Sequence, residues 1–174
     1  MNVARKGLAM HESSAAGQSG EQFNTAVIVY DDRIKSGERT DKFAARISDY
    51  PLNAVSYTVI EEDAEKFRAA LTAALNSQAR VILTLGGTGL RAANRVPDVT
   101  KEFIDRELTG LETQILLVGL ENTSRAGLSR AVIGTTDTGK LIVNCPSSSG
   151  GIKDTLGVVI PLLEPVFDQL DETD

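Results

Sequence analysis

Residues 80–89, RVILTLGGTG, form a short apolar run that breaks directly into a loop of glycines. A second stretch, residues 141–151 (LIVNCPSSSGG), has the same design, and its loop leads into a predicted helix. Glycines let the backbone approach a ligand, free N–H groups donate to anions, and a helix N-terminus favours negative charge. Two such loops predict either one ligand with phosphates at both ends or two phosphorylated ligands side by side.

The pattern around these stretches predicts an α/β fold. Apolar strands are predicted at residues 24–30, 55–60, 81–85 and 141–145, and helices at residues 42–50, 62–76, 99–108 and 152–170. Residues 31–41 are predicted as a polar loop, and two apolar segments, 115–120 and 131–134, remain untyped. Pro161 and Pro165 predict that the last helix is kinked or split. Alternating strands and helices form a mostly parallel sheet with helices on both faces.

Composition narrows the function classes. The length of 174 residues is typical of one domain, and the net charge of −6 argues against a general nucleic-acid binder. Residues 1–22 are polar and rich in small residues, so we expect a disordered leader before a single domain at residues 23–174. The apolar runs are too short to span a bilayer, and a single cysteine fits a reducing cytoplasm.

Histidine usage excludes several kinds of active site. The single histidine, His11, lies in the expected leader, so one chain cannot supply a Ser-His-Asp triad, a Cys-His pair or a histidine-built metal site. Any catalysis must then use carboxylates, hydroxyls, lysines, arginines and backbone amides. Cys145, at the end of a predicted core strand, is expected to be an inert small hydrophobic residue.

Acidic residues follow two predicted strands, at residues 31–32 and 61–63, just as the two glycine loops follow others. Because ligands bind beyond the carboxyl ends of such strands, these loops and acids should converge. Acids beside phosphate loops predict a divalent cation, with Mg²⁺ favoured by its preference for oxygen ligands. The alternative for the acids at 61–63 is helix capping. The segment LSR at residues 128–130 faces either an anion or simply solvent.

Together these residues resemble the MoaB/Mog molybdopterin-binding domain family, which also occurs in fusion proteins such as gephyrin. The resemblance covers residues 27–170 and includes GGTG followed by DVT, LSR, and a strand that ends in proline. The matching residues are Asp32-Arg33, Ser36-Gly37, Asp41, Gly86–Gly89, Asp98–Thr100, Arg106-Glu107, Gly110, Ala126–Arg130, Asn144–Pro146 and Ile152–Leu156.

The resemblance implies a three-layer α/β/α domain, usually a homotrimer, that binds molybdopterin. Active members use ATP and Mg²⁺ to adenylylate its terminal phosphate, in preparation for metal insertion by a partner protein. By motif, the catalytic and magnesium-binding acids are Asp98 and Glu62. The expected binding residues are Gly86, Gly87, Thr88, Gly89, Asp32, Ser129, Pro146, Ser147, Ser148 and Ser149.

Several positions depart from the family pattern. Glu62 stands where the family has aspartate, and the loop at residues 90–97 is longer than usual. Pro97 replaces the usual arginine before DVT, with Arg95 nearby, and Ser147–Ser149 replace Gly-Ser-Pro. These departures keep a second class of function open: a non-catalytic oligomeric scaffold or regulatory protein that acts through protein contacts.

Overall fold

Four parallel strands form the centre of the computed structural model, which describes residues 23–172. The expected leader therefore lies outside the described residues. The six strands are β1 (Phe23–Tyr30), β2 (Leu52–Ile60), β3 (Val81–Leu85), β4 (Arg106–Glu107), β5 (Ile133–Thr135) and β6 (Leu141–Cys145). Their order in one sheet is β2-β1-β3-β6-β5-β4, in which β5 is antiparallel to both of its neighbours.

Helices cover both faces of this sheet. They are α1 (Asp32–Ser36), α2 (Phe43–Ile47), α3 (Ala64–Leu75), α4 (Val96–Thr100), α5 (Thr109–Asn122), α6 (Ser149–Val159) and α7 (Leu163–Asp171). None of the helices within residues 23–172 is long and apolar enough to cross a membrane.

Alternate residues of the central strands enter two separate cores. Ile28 and Ile82 pack against the α3–α4 layer, whereas Val29 and Leu83 belong to the core formed with α2, α5, α6 and α7. Both faces are covered, so these strands are mostly apolar, as parallel strands usually are. The predicted mostly parallel sheet between two helical layers is confirmed.

The register of the sheet brings the strand ends level. Tyr30 lies opposite Ile60, and Leu85 lies opposite Cys145. The hydrogen-bonded ladder continues one residue further, because Asp31 N donates to Ile60 O at 3.1 Å and Gly86 N donates to Cys145 O at 3.0 Å. The loops that follow β1, β2, β3 and β6 therefore meet at one edge, as predicted.

The predicted helix at residues 99–108 is wrong in its bounds. Helix α4 begins at Val96, with Pro97 in its first turn, and ends at Thr100. The chain then joins the sheet, where Asp105 N donates to Thr135 O and Leu108 N donates to Ile133 O. Pairing with a distant strand, which no local pattern shows, overrides the helical interpretation.

Other segments are refined by the structure. The predicted loop at residues 31–41 contains the one-turn helix α1, because the Asp31 carboxylate accepts from Arg33 N and Ile34 N. The untyped segments 115–120 and 131–134 lie in α5 and partly in β5. A 3-10 turn at Ile160–Leu162 divides the C-terminal helix at Pro161, which settles the kink-or-split alternative in favour of a split.

Candidate functional site

The turn after β3 holds the GGTG loop tightly against the end of β1. Gly86 and Gly87 have φ angles of +95° and +68°, which side-chain-bearing residues rarely adopt. A Cβ at Gly86 would lie 2.6 Å from Tyr30 O, and one at Gly87 would lie 2.7 Å from Tyr30 Cδ1. Glycine is therefore required at both positions by backbone conformation and by space.

The second loop ends at the N-terminus of α6. Ser148 is the N-cap residue, and its hydroxyl accepts a hydrogen bond from Gly151 N at 3.0 Å. The N–H groups in the first turn of a helix have no intrahelical acceptor, and the helix dipole adds positive potential there. This loop therefore presents donors suited to an anion.

A cavity of about 770 Å³ opens beside this helix N-terminus, between α5 and the segment at residues 124–130. Of the predicted site residues, Asp98, Ser129, Pro146 and Ser148 line it. The wall carries charges of both signs, from the basic residues Lys101, Arg125 and Arg130 and, besides Asp98, from the acidic residues Glu107, Glu112 and Asp154. The volume suits a small organic molecule with a charged group.

The other predicted binding residues do not line this cavity. The GGTG loop lies behind its wall, where Thr88 O accepts from Arg130 N at 2.8 Å. The side chain of Ser147 lies close to Gly86, since a Cβ on Gly86 would sit 3.8 Å from Ser147 Cβ. Ser149 is exposed in the first turn of α6.

Asp98 projects from the first turn of α4 with its side chain 41% exposed. Its carboxylate is paired with Arg130, whose Nη1 lies 3.2 Å from Oδ2, and more loosely with Arg95, whose Nε lies 3.6 Å from Oδ2. Arg95 thus pairs with Asp98, which follows it by three residues.

A buried polar network, which the sequence reasoning missed, fixes α4 to the sheet. Asn144 Nδ2 donates to Thr84 Oγ1 and Thr100 Oγ1, each at 3.0 Å, and Asn144 Oδ1 accepts from Val132 N at 3.2 Å. The network joins β3, β6, α4 and the segment that follows Arg130. Its signal in the sequence was one polar residue in each of two apolar strands, Thr84 and Asn144.

Glu62, in the β2–α3 connection, lies beside Asp32, the first residue of α1, and neither residue lines the cavity. Asp32 Oδ1 accepts from Glu62 N at 2.7 Å, and the Glu62 side chain pairs with Arg91 Nη2 at 2.9 Å. Helix α3 begins at Ala64, and Asp63, not Glu62, caps it by accepting from Lys66 N. Of the acids at residues 61–63, Asp63 is the one that caps the helix.

Tyr30 is a further residue that the sequence did not single out. Its ring packs under Gly87, and its hydroxyl donates to Ala93 O at 2.6 Å, within the long loop. Burial, together with the nearby charge of Glu62, raises the pKa of Tyr30 to about 12. The phenol therefore stays protonated at neutral pH and keeps its hydrogen bond to the loop.

Cys145 agrees with the expectation of an inert residue. Its side chain is fully buried at the end of β6, and this burial raises the pKa of the thiol to about 12. The reactive thiolate form is therefore scarce at neutral pH.

The two predicted metal ligands, Asp98 and Glu62, are each paired with a different arginine and do not share a site. Asp98 is bound to Arg130, Glu62 is bound to Arg91, and only Asp98 of the two lines the cavity. Within residues 23–172, no group of three or more His, Cys, Asp or Glu side chains is placed to hold a metal ion. Mg²⁺ commonly binds one or two carboxylates together with substrate phosphates, so the half-exposed Asp98 fits Mg²⁺ delivered with a nucleotide.

Comparison with known proteins adds independent information. The family model described as "Probable molybdopterin binding domain" matches residues 26–165. Gephyrin from Dictyostelium discoideum is 27% identical over 85% of this chain, which covers 22% of gephyrin. A molybdenum cofactor biosynthesis bifunctional protein from Chlorobaculum tepidum is 30% identical over 84% of this chain, which covers 48% of that protein. The chain thus spans less than half the length of these curated relatives.

Solved structures match more completely. A protein of Corynebacterium diphtheriae assigned to molybdenum cofactor biosynthesis is 41% identical, with a TM-score of 0.77, and the match covers 87% of this chain and 99% of that one. The molybdopterin biosynthesis enzyme MoaB from Thermus thermophilus is 32% identical, with a TM-score of 0.75, and the match covers 86% and 96% of the two chains.

Replacing Gly86 by alanine tests whether the GGTG turn is held by space as well as by conformation. Gly37 is the matched control, because its φ is +84° and a Cβ there would meet nothing within 4 Å. Both substitutions carry the left-handed penalty of about 1–2 kcal/mol. Gly86→Ala also clashes with Tyr30 O and should lose about 1–3 kcal/mol more. Urea unfolding measures both free energies, and equal losses would contradict this account of the turn.

Proposed function

The chain belongs to the molybdopterin-binding domain family, and we propose that it binds molybdopterin and adenylylates its terminal phosphate with Mg-ATP. The observation that carries this proposal is the cavity, which places a helix N-terminus and a half-exposed carboxylate on the same wall. The proposal also draws on relatives and solved structures whose names assign them to molybdenum or molybdopterin cofactor synthesis.

The pterin would lie in the cavity with its phosphate at the N-terminus of α6. Ser148 and Gly150 line that end and offer a hydroxyl and a backbone donor, whereas Gly151 N already donates to Ser148 Oγ. Apolar side chains, among them Ile115 and Val132, line other parts of the wall. They suit the flat face of a fused ring, while the donors suit the phosphate.

In the proposed reaction, a phosphate oxygen of molybdopterin attacks the α-phosphorus of ATP. A new P–O–P linkage forms, the bond to the β-phosphate side breaks, and pyrophosphate leaves with the electron pair. Such a transfer needs positioning and charge neutralisation more than covalent help from the protein. Lys101, Arg125 and Arg130 supply positive charge along the cavity.

Asp98 is the proposed magnesium ligand of the chain. Mg²⁺ held there would neutralise phosphate charge. Glu62 is the second acid of the proposal, although its carboxylate is bound to Arg91 and lies outside the cavity lining. A role for Glu62 at the phosphates requires Arg91 to release it when the nucleotide binds. The GGTG loop and Ser147–Ser149 would bind phosphates, with Asp32 and Ser129 in secondary binding roles.

A non-catalytic scaffold is the second candidate function. It is favoured by the arginine pairing of both acids and by the apolar surface of α5. Leu116, Leu117, Val118 and Leu120 on this helix are 37–60% exposed. Such a concentration of exposed apolar side chains indicates a contact surface.

We further propose that the chain forms a homotrimer through α5, as the family usually does. It would work in a reducing cytoplasm, with a separate partner protein inserting molybdenum. We propose neither nucleic acid nor membranes as partners. The net charge of −6 is consistent with the absence of nucleic-acid binding.

Asp98→Asn tests the enzymatic proposal, because it keeps the volume of the side chain and removes the charge. Adenylylation should fall by about 10²-fold or more, the scale of losing one strong electrostatic contributor. Molybdopterin affinity should change little, since donors at α6 hold the phosphate. Initial rates of pyrophosphate release and equilibrium binding measure the two effects, and the exposed Asp49→Asn is the control.

Glu62→Asp complements this experiment, since it restores the shorter acid of the family and should preserve or raise the rate. Equal turnover by Asp98→Asn and wild type would remove Asp98 from the proposed site. A wild type that never turns over with authentic molybdopterin and Mg-ATP would establish the scaffold alternative.

Assembly is tested by Leu117→Lys, which places a charge on the 60% exposed side chain at the centre of the α5 surface. The wild type should scatter light as a trimer at micromolar concentration, and the variant as a smaller species. Leu90→Lys is the matched control, because Leu90 is 69% exposed but lies in the loop at residues 90–97. A monomeric wild type would refute the trimer, and a trimeric Leu117→Lys would exclude α5 as the interface.

A further inference from the structure

Arg130 contacts three separate segments around the cavity and has no role in the binding scheme beyond its charge. Its Nε donates to Gly89 O at 3.0 Å, at the end of the GGTG loop. Its Nη2 donates to Asn94 O, in the long loop. Both terminal nitrogens lie 3.2–3.3 Å from the carboxylate oxygens of Asp98.

The backbone of Arg130 is fixed independently of these contacts. Its N–H donates to Thr88 O at 2.8 Å, and Val132, two residues later, is held by Asn144. The guanidinium therefore extends from an anchored position. Its planar array of N–H donors can satisfy two carbonyls and a carboxylate at once, which a lysine ammonium cannot match in geometry.

The loop at residues 90–97 is otherwise held at separate points. Arg91 pairs with Glu62 at 2.9 Å, and Tyr30 Oη donates to Ala93 O at 2.6 Å. Arg130 is the side chain that joins this loop both to the phosphate-binding turn and to Asp98. The longer loop is thus coupled to the candidate catalytic carboxylate through Arg130 and, more loosely, through its own Arg95, whose Nε lies 3.6 Å from Asp98 Oδ2.

We propose that Arg130 is a positioning residue that fixes the 90–97 loop and aims the Asp98 carboxylate at the cavity. This inference rests on the proposed function for its effect on the reaction, although its effect on the loop can be measured without any activity. Arg130 acts through Asp98 and the loop carbonyls. Its contribution depends on the shape of the guanidinium as well as on its charge.

Limited trypsin digestion tests the loop directly, because Arg91 and Arg95 are cleavage sites within it. In Arg130→Gln and Arg130→Lys, cleavage at these two sites should accelerate about tenfold or more relative to wild type, since charge-assisted hydrogen bonds to the loop are lost. Cleavage after Lys42 and Lys153, scored by mass spectrometry in the same digest, corrects for any general loss of stability.

Arg68→Gln is the matched control. Arg68 is 32% exposed, close to the 36% of Arg130, and it also pairs with carboxylates, those of Glu65 and Glu102 on the α3–α4 side. This variant should be cut at Arg91 and Arg95 at the wild-type rate. The proposal is overturned if Arg130→Gln is cut at Arg91 and Arg95 no faster than the wild type. It is also overturned if cleavage at these two sites accelerates only as much as cleavage at the reference sites.

Steady-state kinetics of the Arg130 variants distinguish a positioning role of Arg130 from a merely structural one. Both Arg130 variants should lose about tenfold or more in kcat, while KM for molybdopterin stays within about threefold. Full recovery of loop protection and kcat in Arg130→Lys would overturn the proposal, because charge alone would then suffice. If the wild type has no adenylylation activity, the proposed function fails, and the digestion alone decides whether Arg130 holds the loop.

Discussion

The level ends of the parallel strands are the constraint on which the rest of the structure depends. The hydrogen-bond register sets Tyr30 opposite Ile60 and Leu85 opposite Cys145, so the loops after β1, β2, β3 and β6 emerge at one edge. The inner strands β1, β3 and β6 are covered on both faces and carry few polar side chains. Ligand chemistry must therefore reside in the loops, and the sheet determines which loops can act together.

Polar contacts at this edge join the GGTG turn, the long loop, α4 and the segment that precedes β5. Asn144 ties α4 and residue 132 to the strands, and Arg130 joins the GGTG turn, the long loop and Asp98. Removing one partner from the buried Asn144 network leaves unsatisfied groups, which costs more than the bond itself contributes. The shape of the site thus depends on a few polar side chains between well-packed helices.

Local patterns predicted the parts of the fold that local physics determines. The bounds predicted for the strands at residues 81–85 and 141–145 are the observed ones, because an apolar run bounded by glycine or proline is typical of a covered strand. Strand β4 was missed, since its two residues pair with β5 across the chain and have no periodicity of their own. The sequence predicted Asp98 and the glycine loop as site residues but not the Asp98–Arg130 pair, which joins residues 32 apart. It also could not distinguish Glu62 from the adjacent Asp63, of which only the latter caps α3.

The central claim is that this edge and its cavity bind a phosphorylated pterin through the N-terminus of α6. Calorimetric titration of the full chain with molybdopterin, and then with the same pterin lacking its phosphate, tests it most directly. The account predicts saturable binding of one molybdopterin per chain, weakened at least about tenfold when the phosphate is absent, because charge-assisted hydrogen bonds at the helix N-terminus are then lost. Absence of saturable binding, or equal affinity for the two ligands, would contradict it.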